Sequence, residues 1–345
     1  MKVIDVRNVT EALYEGLRYL RVSGELQKSR GGDVMVAPGP VTTLYRAPEE
    51  RVLVDPLRDA NPFFHFMEAL WMIAGRNDVA WISKFSGGIA QYSDNGETFH
   101  GAYGYRWRHH WSCDGIQKDQ VAMIIQALKD NPDCRRQILQ MWDVDVDLGK
   151  TGKDFPCNQS AHFQIRDGRL DMTVFNRSND AVWGAHGANA VHFSMLLEYM
   201  AAQIGVKVGR YWQVSDNYHV YMDLMEKKDL WKLADKAADW PSFAGQPNPY
   251  KGKIKPYPMV KDPVAWDRDL AMFMENGTEC YGYSEPFFRR VAVPMLRAWN
   301  TYKEGDKEAA SRELDSCSAT DWKKACQEWL TRRLTRSATS ARAET

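Results

Sequence analysis

Residues 154–180 constrain the fold of this chain more than any other stretch, because they place Cys157 directly before two segments of alternating polarity. Segments 162–166 and 170–176 alternate polar and apolar residues, as half-buried β-strands do, and an Asp-Gly pair between them favours a two-residue turn. In such a hairpin the two outer ends are neighbours. The stretch therefore predicts a β-hairpin that brings Cys157 and Arg177 to one site.

A thiol beside a guanidinium has a clear chemical use. The thiolate of Cys157 is a nucleophile, and Arg177 holds an anion or raises the thiolate fraction. On the residues alone, a packed structural cysteine beside a surface ion pair explains the pattern equally well.

Composition excludes several classes of protein. Among 345 residues the net charge is zero, so nothing indicates a nucleic-acid partner. There is no apolar run of membrane length, so no membrane partner is expected. The six cysteines show neither paired nor metal-binding spacing, which predicts free thiols in the cytoplasm and no metal site.

Short motifs across the first two-thirds of the chain resemble those of one enzyme family. They are Pro156-Cys157, Arg177-Ser178-x-Asp180, Gly184 and His219-Val220-Tyr221. Their order and spacing are similar to those of the thymidylate synthase and deoxynucleotide hydroxymethylase family.

The resemblance implies an α+β fold, in which helices pack on a mixed β-sheet and one side of the sheet forms a homodimer interface. It covers a catalytic region at 1–250. Beyond it we expect a helical extension at 251–335 packed on that region, and a disordered tail at 336–345.

The resemblance also implies catalytic roles. Cys157 is the nucleophile, Glu68 organises water and protons, Tyr103 lies near the reacting base, and Asp180 completes the site. Glu68 is unusual on its own, since a carboxylate in an apolar helix must be paired or have a raised pKa. A salt-bridged Glu68 and a core Tyr103 are the structural alternatives.

The nucleotide phosphate is expected to meet arginines. Residues 28–32 (Lys-Ser-Arg-Gly-Gly) are predicted to form a mobile loop. The resemblance implies a phosphate-binding arginine on such a loop, for which Arg30 is the best candidate and Arg21 the rival. Arg177 and Ser178 are implied to bind the same phosphate.

A second pair of arginines begins the predicted strand at 137–142. Arg135 and Arg136 are costly to bury at a strand start unless they meet water, an acid or an anion. The resemblance implies that they reach the phosphate of the other subunit, which predicts a homodimer.

The base and the sugar are assigned to the segments that follow the hairpin. Relative to the family the chain has one extra residue near 186–189, so Asn189, Ala188 and His186 are all candidates for reading the base. Asn189 is preferred, because an insertion is easier in a loop than in a helix. His219 and Tyr221 share one face of an extended segment and are implied to hold the sugar 3′ hydroxyl.

The implied reaction begins with addition of Cys157 to C6 of a pyrimidine, so that C5 attacks the one-carbon unit of 5,10-methylenetetrahydrofolate. Hydride then gives a methyl product, whereas water gives a hydroxymethyl product. The substrate is dUMP or dCMP, and the amide of Asn189 slightly favours uracil.

Three departures favour water. Asn158 replaces the histidine usual in the synthases, and the Arg-Ser-Asn-Asp cluster is similar to the hydroxymethylase branch. Of two folate-side tryptophans only Trp81 is present, with Lys84 or Phe85 in the place of the other. The alternatives are a divergent thymidylate synthase that makes dTMP and an inactive nucleotide-binding homologue.

Overall fold

The computed structural model describes residues 1–237, 248–279 and 282–343, with side chains through Thr335. The strands are β1 (Lys2–Val6), β2 (Glu25–Ser29), β3 (Gly32–Val36), β4 (Val41–Tyr45), β5 (Trp111–Cys113), β6 (Ile116–Lys118), β7 (Gln137–Gln140), β8 (Asn158–Arg166), β9 (Arg169–Asp180) and β10 (Lys207–Tyr221). Eight of them form one sheet in the order β1-β4-β10-β9-β8-β7, with β3 on β10 and β2 on β3. The β1–β4 and β9–β10 pairs are parallel and the others antiparallel, so the sheet is mixed, as predicted.

Helices cover this sheet and continue beyond it. They are α1 (Val9–Ser23), α2 (Pro62–Ile73), α3 (Val79–Ile82), α4 (Tyr103–Arg108), α5 (Gln120–Asp130), α6 (Val144–Asp147), α7 (Asn189–Ile204), α8 (Met222–Lys227), α9 (Lys232–Asp235), α10 (Pro263–Asn276), α11 (Val293–Lys303), α12 (Lys307–Glu313) and α13 (Thr320–Ala343). The buried helix α7 packs on β9 and β10 and on α2. Within the described ranges, every helix is too short or too polar to cross a lipid bilayer.

The predicted hairpin is confirmed. β8 and β9 are antiparallel, with Arg166 opposite Arg169. Asp167 and Gly168 both have left-handed φ angles, +51° and +68°, as a two-residue turn of the mirror-image type requires. The start of β8 and the end of β9 therefore lie side by side.

The parallel pairing of β9 with β10 brings a second pair of motifs together. Asn217 is opposite Ser178, and His219 is opposite Asp180. One end of the central sheet thus carries most of the polar residues that the sequence singled out.

Helix α2 begins and ends as its sequence predicts. The side chain of Asn61 accepts a hydrogen bond from the Phe64 N–H, and Pro62 occupies the first turn. Gly75, with a φ of +74°, lies just beyond its end. Glu68 is buried in its interior.

The prediction of a mobile loop at 28–32 is wrong. These residues belong to a β-hairpin in which Ser29 pairs with Gly32 and Arg30 lies in the turn. β3 also pairs with the end of β10, Val34 opposite Tyr221. Every residue of β2 is exposed, so its sequence lacks the polar–apolar alternation of a half-buried strand. The hairpin is held in place by the pairing of β3 with β10.

The C-terminal helices pack on the catalytic region through aromatic rings. Phe63 contacts Trp299 and Trp329, and Phe66 contacts Trp322, with ring centroids 5.1–5.8 Å apart. One continuous hydrophobic core runs from Ile4 to Leu330. The expected disordered tail at 336–345 stays a prediction. The backbone of α13 is described to Ala343, but the side chains after Thr335 and residues 344–345 lie outside the described part of the chain.

Candidate active site

Cys157 lies directly before β8, against the end of β9. Nη2 of Arg177 is 3.8 Å from the Cys157 sulfur, and its Nε donates to the Pro156 carbonyl oxygen at 2.9 Å. Burial raises the pKa of the Cys157 thiol, and the charge of Arg177 opposes that rise. Thiol and guanidinium therefore share one site, and the thiol is protonated near neutral pH.

A cleft of about 620 Å³ opens next to this cysteine. That volume is typical of small-ligand pockets. Cys157 itself does not line the cleft, but Tyr103 does, and the Tyr103 hydroxyl is in hydrogen-bonding contact with the backbone of Cys157 and Asn158. The predicted site residues that line it are Glu68, Tyr103, Asp180, Ala188, Asn189 and Tyr221.

Glu68 meets a histidine inside the cleft. Its Oε2 is 2.8 Å from Nε2 of His192 on α7, and only 11% of the Glu68 side chain and 2% of the His192 side chain are exposed. Glu68 is therefore in contact with a histidine, as the salt-bridged alternative expects, and both residues line the cleft, as the catalytic role requires.

Tyr103 is adjacent to the nucleophile. Burial raises the pKa of Tyr103 far above its usual value, and the charge of Cys157 when it is a thiolate, together with that of Asp154, raises it further. Tyr103 therefore keeps its proton and is available as a hydrogen-bond donor.

Asp180 ends β9 and caps the irregular helical turn that follows. Its Oδ1 accepts from the backbone N–H of Val182 at 2.8 Å and from that of Trp183. Oδ2 is buried with no hydrogen-bond partner among the described residues. Burial raises the pKa of Asp180, and the positive charges of His219 and Arg58 oppose the rise.

The two predicted sugar-binding residues lie together. The rings of His219 and Tyr221 have centroids 5.3 Å apart. Tyr221 lines the cleft, and His219 is 6% exposed behind it. Ser178 is half-buried on β9.

The structure separates the two candidate phosphate arginines. Arg30 lies in the β2–β3 turn, where a Cβ on Gly31 would be 2.8 Å from the Tyr221 ring. Burial raises the pKa of both Cys157 and Tyr221, and the positive charge of Arg30 opposes the rise in each. Arg21, in contrast, pairs with Asp235 at 2.6 Å on another surface.

Arg135 and Arg136 lie elsewhere. Both are exposed at the start of β7. Arg135 borders a shallow groove on β7–β9, whose lining includes Ile138, His162 and Phe175. The structure does not bring this pair to the Cys157 cleft of its own chain.

Two of the three base-reading candidates line the cleft. Asn189 donates from Nδ2 to Asn179 at 3.1 Å and accepts from Asn158 at 3.4 Å; Ala188 precedes it. His186 is fully buried in the core, 2.9 Å from the Tyr45 hydroxyl and 2.6 Å from that of Tyr218. His186 is therefore not brought to the cleft.

Four further cleft residues were missed by the sequence reasoning: Asp154, His65, His192 and Trp183. Helical spacing is the signal that reveals two of them. His65 lies three residues before Glu68, and His192 three residues after Asn189, so each shares a helix face with a predicted residue.

One side of the cleft is lined by large apolar and aromatic side chains. Phe64, Trp71, Ile89 and Tyr92 line it, and the ring of Trp183 is 48% exposed at its edge. Such faces stack on heteroaromatic rings. Trp81, in contrast, packs on Phe85, and neither lines the cleft. In the described part of the chain no group of His, Cys, Asp and Glu has the geometry of a metal site.

Comparisons with known proteins agree with this geometry. A sequence model of the family described as thymidylate synthase matches residues 58–250. A protein of Pseudomonas phage M6 named deoxyuridylate hydroxymethyltransferase is 52% identical over 340 residues, which cover 96% of this chain and 95% of that protein.

More distant relatives include both branches of the family. A protein of the same name from Bacillus phage SP01 is 37% identical over 56% of this chain and 54% of its own length. A thymidylate synthase of Symbiobacterium thermophilum is 31% identical over 49% of this chain and 62% of its own.

The fold and the comparisons thus define an enzyme of nucleotide biosynthesis, with Cys157 as its candidate nucleophile. The chain belongs to the thymidylate synthase family.

Proposed function

We propose that this enzyme transfers a one-carbon unit from 5,10-methylenetetrahydrofolate to C5 of dUMP and releases 5-hydroxymethyl-dUMP and tetrahydrofolate. The observation that carries the proposal is the Cys157 thiol, 3.8 Å from Arg177, beside a cleft lined by Glu68, Tyr103 and Asn189. Full-length likeness to a phage protein named deoxyuridylate hydroxymethyltransferase supports both the base and the product.

Covalent addition of Cys157 to C6 starts the reaction. Since burial raises the pKa of the thiol, its proton must leave as the nucleotide binds or as sulfur attacks. Arg177 favours the thiolate through its charge. The addition makes C5 nucleophilic, while Tyr103 donates a hydrogen bond near the reacting ring.

The folate would lie along the aromatic side of the cleft, against Trp183, Trp71 and Tyr92. When bound, it supplies an electrophilic one-carbon unit. Asp180, whose Oδ2 is buried without a partner among the described residues, would bind the polar edge of the folate.

Water access decides the product. Asn158 is buried next to Cys157 and donates to Asn189 at 3.4 Å, and its Oδ1 has no hydrogen-bond partner among the described residues. This free acceptor is available to a water molecule where the synthases carry a histidine. Trp81 and Phe85 are buried against each other and do not wall the cleft. A polar and incompletely covered site favours addition of water over transfer of hydride.

Asn189 is the base-reading residue in this proposal, with Ala188 beside it. An amide presents both a donor and an acceptor, which match O4 and N3–H of uracil. Arg30, Arg177 and Ser178 bind the 5′ phosphate, and His219 with Tyr221 binds the 3′ hydroxyl.

Product masses provide the test. The protein is incubated with methylenetetrahydrofolate and dUMP, dCMP or UMP. We expect 5-hydroxymethyl-dUMP from dUMP. Turnover of UMP should be much slower, because His219 and Tyr221 hold the 3′ hydroxyl and the 2′ hydroxyl of a ribonucleotide would be bound without a polar partner of its own. Formation of dTMP with dihydrofolate absorbance would identify a synthase, and hydroxymethyl-dCMP would overturn the role of Asn189. If no nucleotide reacts, the chain is an inactive homologue.

The active form is proposed to be a cytoplasmic homodimer in which Arg135 and Arg136 complete the partner's phosphate site. Their exposure, far from their own cleft, supports this arrangement. Mixing Cys157→Ala with Arg136→Ala should then restore roughly a quarter of normal activity through mixed dimers with one intact site. Mixing Cys157→Ala with Arg177→Ala is the matched control without recovery, because one subunit supplies both residues. Equal activity in the two mixtures, after confirmed subunit exchange, contradicts the shared site.

A further inference from the structure

The contact between Glu68 and His192 is incomplete. The two side chains approach to 2.8 Å, yet Oε2 of Glu68 and both ring nitrogens of His192 are buried without an aligned hydrogen bond in the described residues. Buried polar atoms are rarely left in this state, because water no longer satisfies them. The two atoms are therefore close enough to form a hydrogen bond with each other once a molecule bound in the cleft aligns the side chains.

Two packed helices place the pair beside the base. Glu68 lies in the interior of α2, and His192 lies on α7 one turn after Asn189. Because residues three apart share a helix face, His192 and Asn189 face the cleft together. Glu68 and His192 are thus next to the residue proposed to read the pyrimidine.

The neighbouring groups single out His192 as the histidine that acts on Glu68. Burial, together with the charges of Arg58 and His192, holds the pKa of His65 well below its usual range. His65 therefore stays neutral. In the described part of the chain, no other basic side chain forms an ion pair with Glu68.

We propose that His192 is a positioning residue for the hydration step: it holds Oε2 of Glu68, so that the carboxylate is directed at the attacking water. This inference rests on the proposed hydroxymethyl transfer. His192 thereby favours attack by water over attack by other nucleophiles, and it acts through Glu68 without touching the reacting carbon.

After tetrahydrofolate leaves, C5 carries an exocyclic methylene and C6 carries the Cys157 thioether. The water oxygen bonds to the methylene carbon, its proton passes to Glu68, and the electron pair moves onto C5 and O4. C5=C6 then re-forms, the C6–S bond breaks, and the Cys157 thiolate recovers the proton from Glu68.

Competition by an added thiol measures this step. 2-Mercaptoethanol adds to the same methylene carbon and gives a thioether of dUMP, but it needs no directed water. The ratio of thioether to 5-hydroxymethyl-dUMP, at fixed thiol concentration, therefore reports hydration alone. A purely structural change lowers both products and leaves their ratio constant.

Three substitutions use this ratio. His192→Leu removes the contact, and it should raise the ratio about tenfold or more, since directed proton transfer contributes at least that much. His192→Gln carries an N–H as far as Nε2 of histidine and should stay near the normal ratio. His192→Asn is the matched control, because the same amide is too short to reach Glu68, and its ratio should rise as in His192→Leu.

The covalent complex with 5-fluoro-dUMP and methylenetetrahydrofolate should form normally in all three variants, because it precedes hydration. If His192→Leu does not fold, the Gln and Asn variants alone decide. Equal ratios in those two, or a normal ratio in every folded variant, overturn the role of His192. Absence of both products from the unmutated enzyme would instead refute the hydroxymethyl transfer, before any variant is compared.

Discussion

The cleft and the C-terminal helices differ in whether their buried ionisable groups have hydrogen-bond partners. In the cleft, Asp180, Glu68 and His192 each leave a buried charged or ionisable atom without a hydrogen-bond partner in the described residues. In the described part of the extension, the buried side-chain atoms left without a partner are two indole N–H groups.

The buried carboxyl groups in the described part of the extension accept hydrogen bonds instead. Asp59, at the border of the catalytic region, binds both Arg332 and Arg333 of α13, the former at 2.9 Å. The Trp299 indole donates to the Lys84 carbonyl at 3.0 Å. The difference indicates that the cleft is arranged for a ligand, whereas the extension is arranged for stability. Substitutions in the two regions should therefore affect different measurements.

The largest effect is expected from Cys157→Ala. Without the sulfur there is no addition at C6, so kcat should fall by about 10⁴-fold or more. Binding of dUMP, measured by calorimetry, and the unfolding midpoint should stay close to normal. Cys113→Ala removes an exposed thiol of β5 and serves as the control with normal turnover. Turnover by Cys157→Ala near the normal rate would rule out the assigned nucleophile.

Trp299→Ala tests the other region. The indole is 6% exposed and contacts Phe63 and Phe85, so its loss should lower the free energy of unfolding by about 3–5 kcal/mol. At a temperature where the variant is folded, kcat should be little changed. The control is Trp183→Ala, on an exposed cleft ring: it should raise KM for the folate and leave stability nearly unchanged. Reversal of these two phenotypes would contradict the division of roles.

A smaller effect concerns pH and Asp321, a buried carboxyl at the start of α13. Burial raises the pKa of Asp321 to about 6 from its usual 3.8. The folded chain thus holds this proton more tightly than the unfolded chain. The stabilisation is complete below pH 3.8 and is lost as pH rises through about 6.

Asp321→Asn should remove that dependence. Relative to this variant, the unmutated protein should lose on the order of 3 kcal/mol of stability between pH 4 and pH 7, measured by denaturant unfolding. Asp315→Asn, at an exposed carboxylate paired with Lys323, is the control and should change little. Parallel pH curves for unmutated protein and Asp321→Asn would show that this carboxyl does not titrate as inferred.

Local signals account for what the sequence predicted correctly. The β8–β9 hairpin follows from strict alternation and an Asp-Gly turn, and α2 follows from its Asn61 cap and Gly75. The order of the motifs identified the family and the elements that carry Cys157 and Arg177. These features depend on residues close together in the chain.

Long-range contacts account for the rest. The β2–β3 hairpin is fixed by β10, nearly 190 residues later in the chain, and so was mistaken for a loop. His186 was considered for base reading because loop position does not show that Tyr45 and Tyr218 enclose it. The contact of Glu68 with His192 joins two helices, and no local pattern records it.

Oxygen labelling tests the proposed reaction most directly. The enzyme is incubated with dUMP and methylenetetrahydrofolate in water enriched in oxygen-18, and the nucleotide product is fragmented in a mass spectrometer. We predict one heavy oxygen, located on the new hydroxymethyl group, and no rise in dihydrofolate absorbance. A product of thymidylate mass with matching dihydrofolate, or a hydroxymethyl group that carries no label, would contradict addition of water to the methylene carbon.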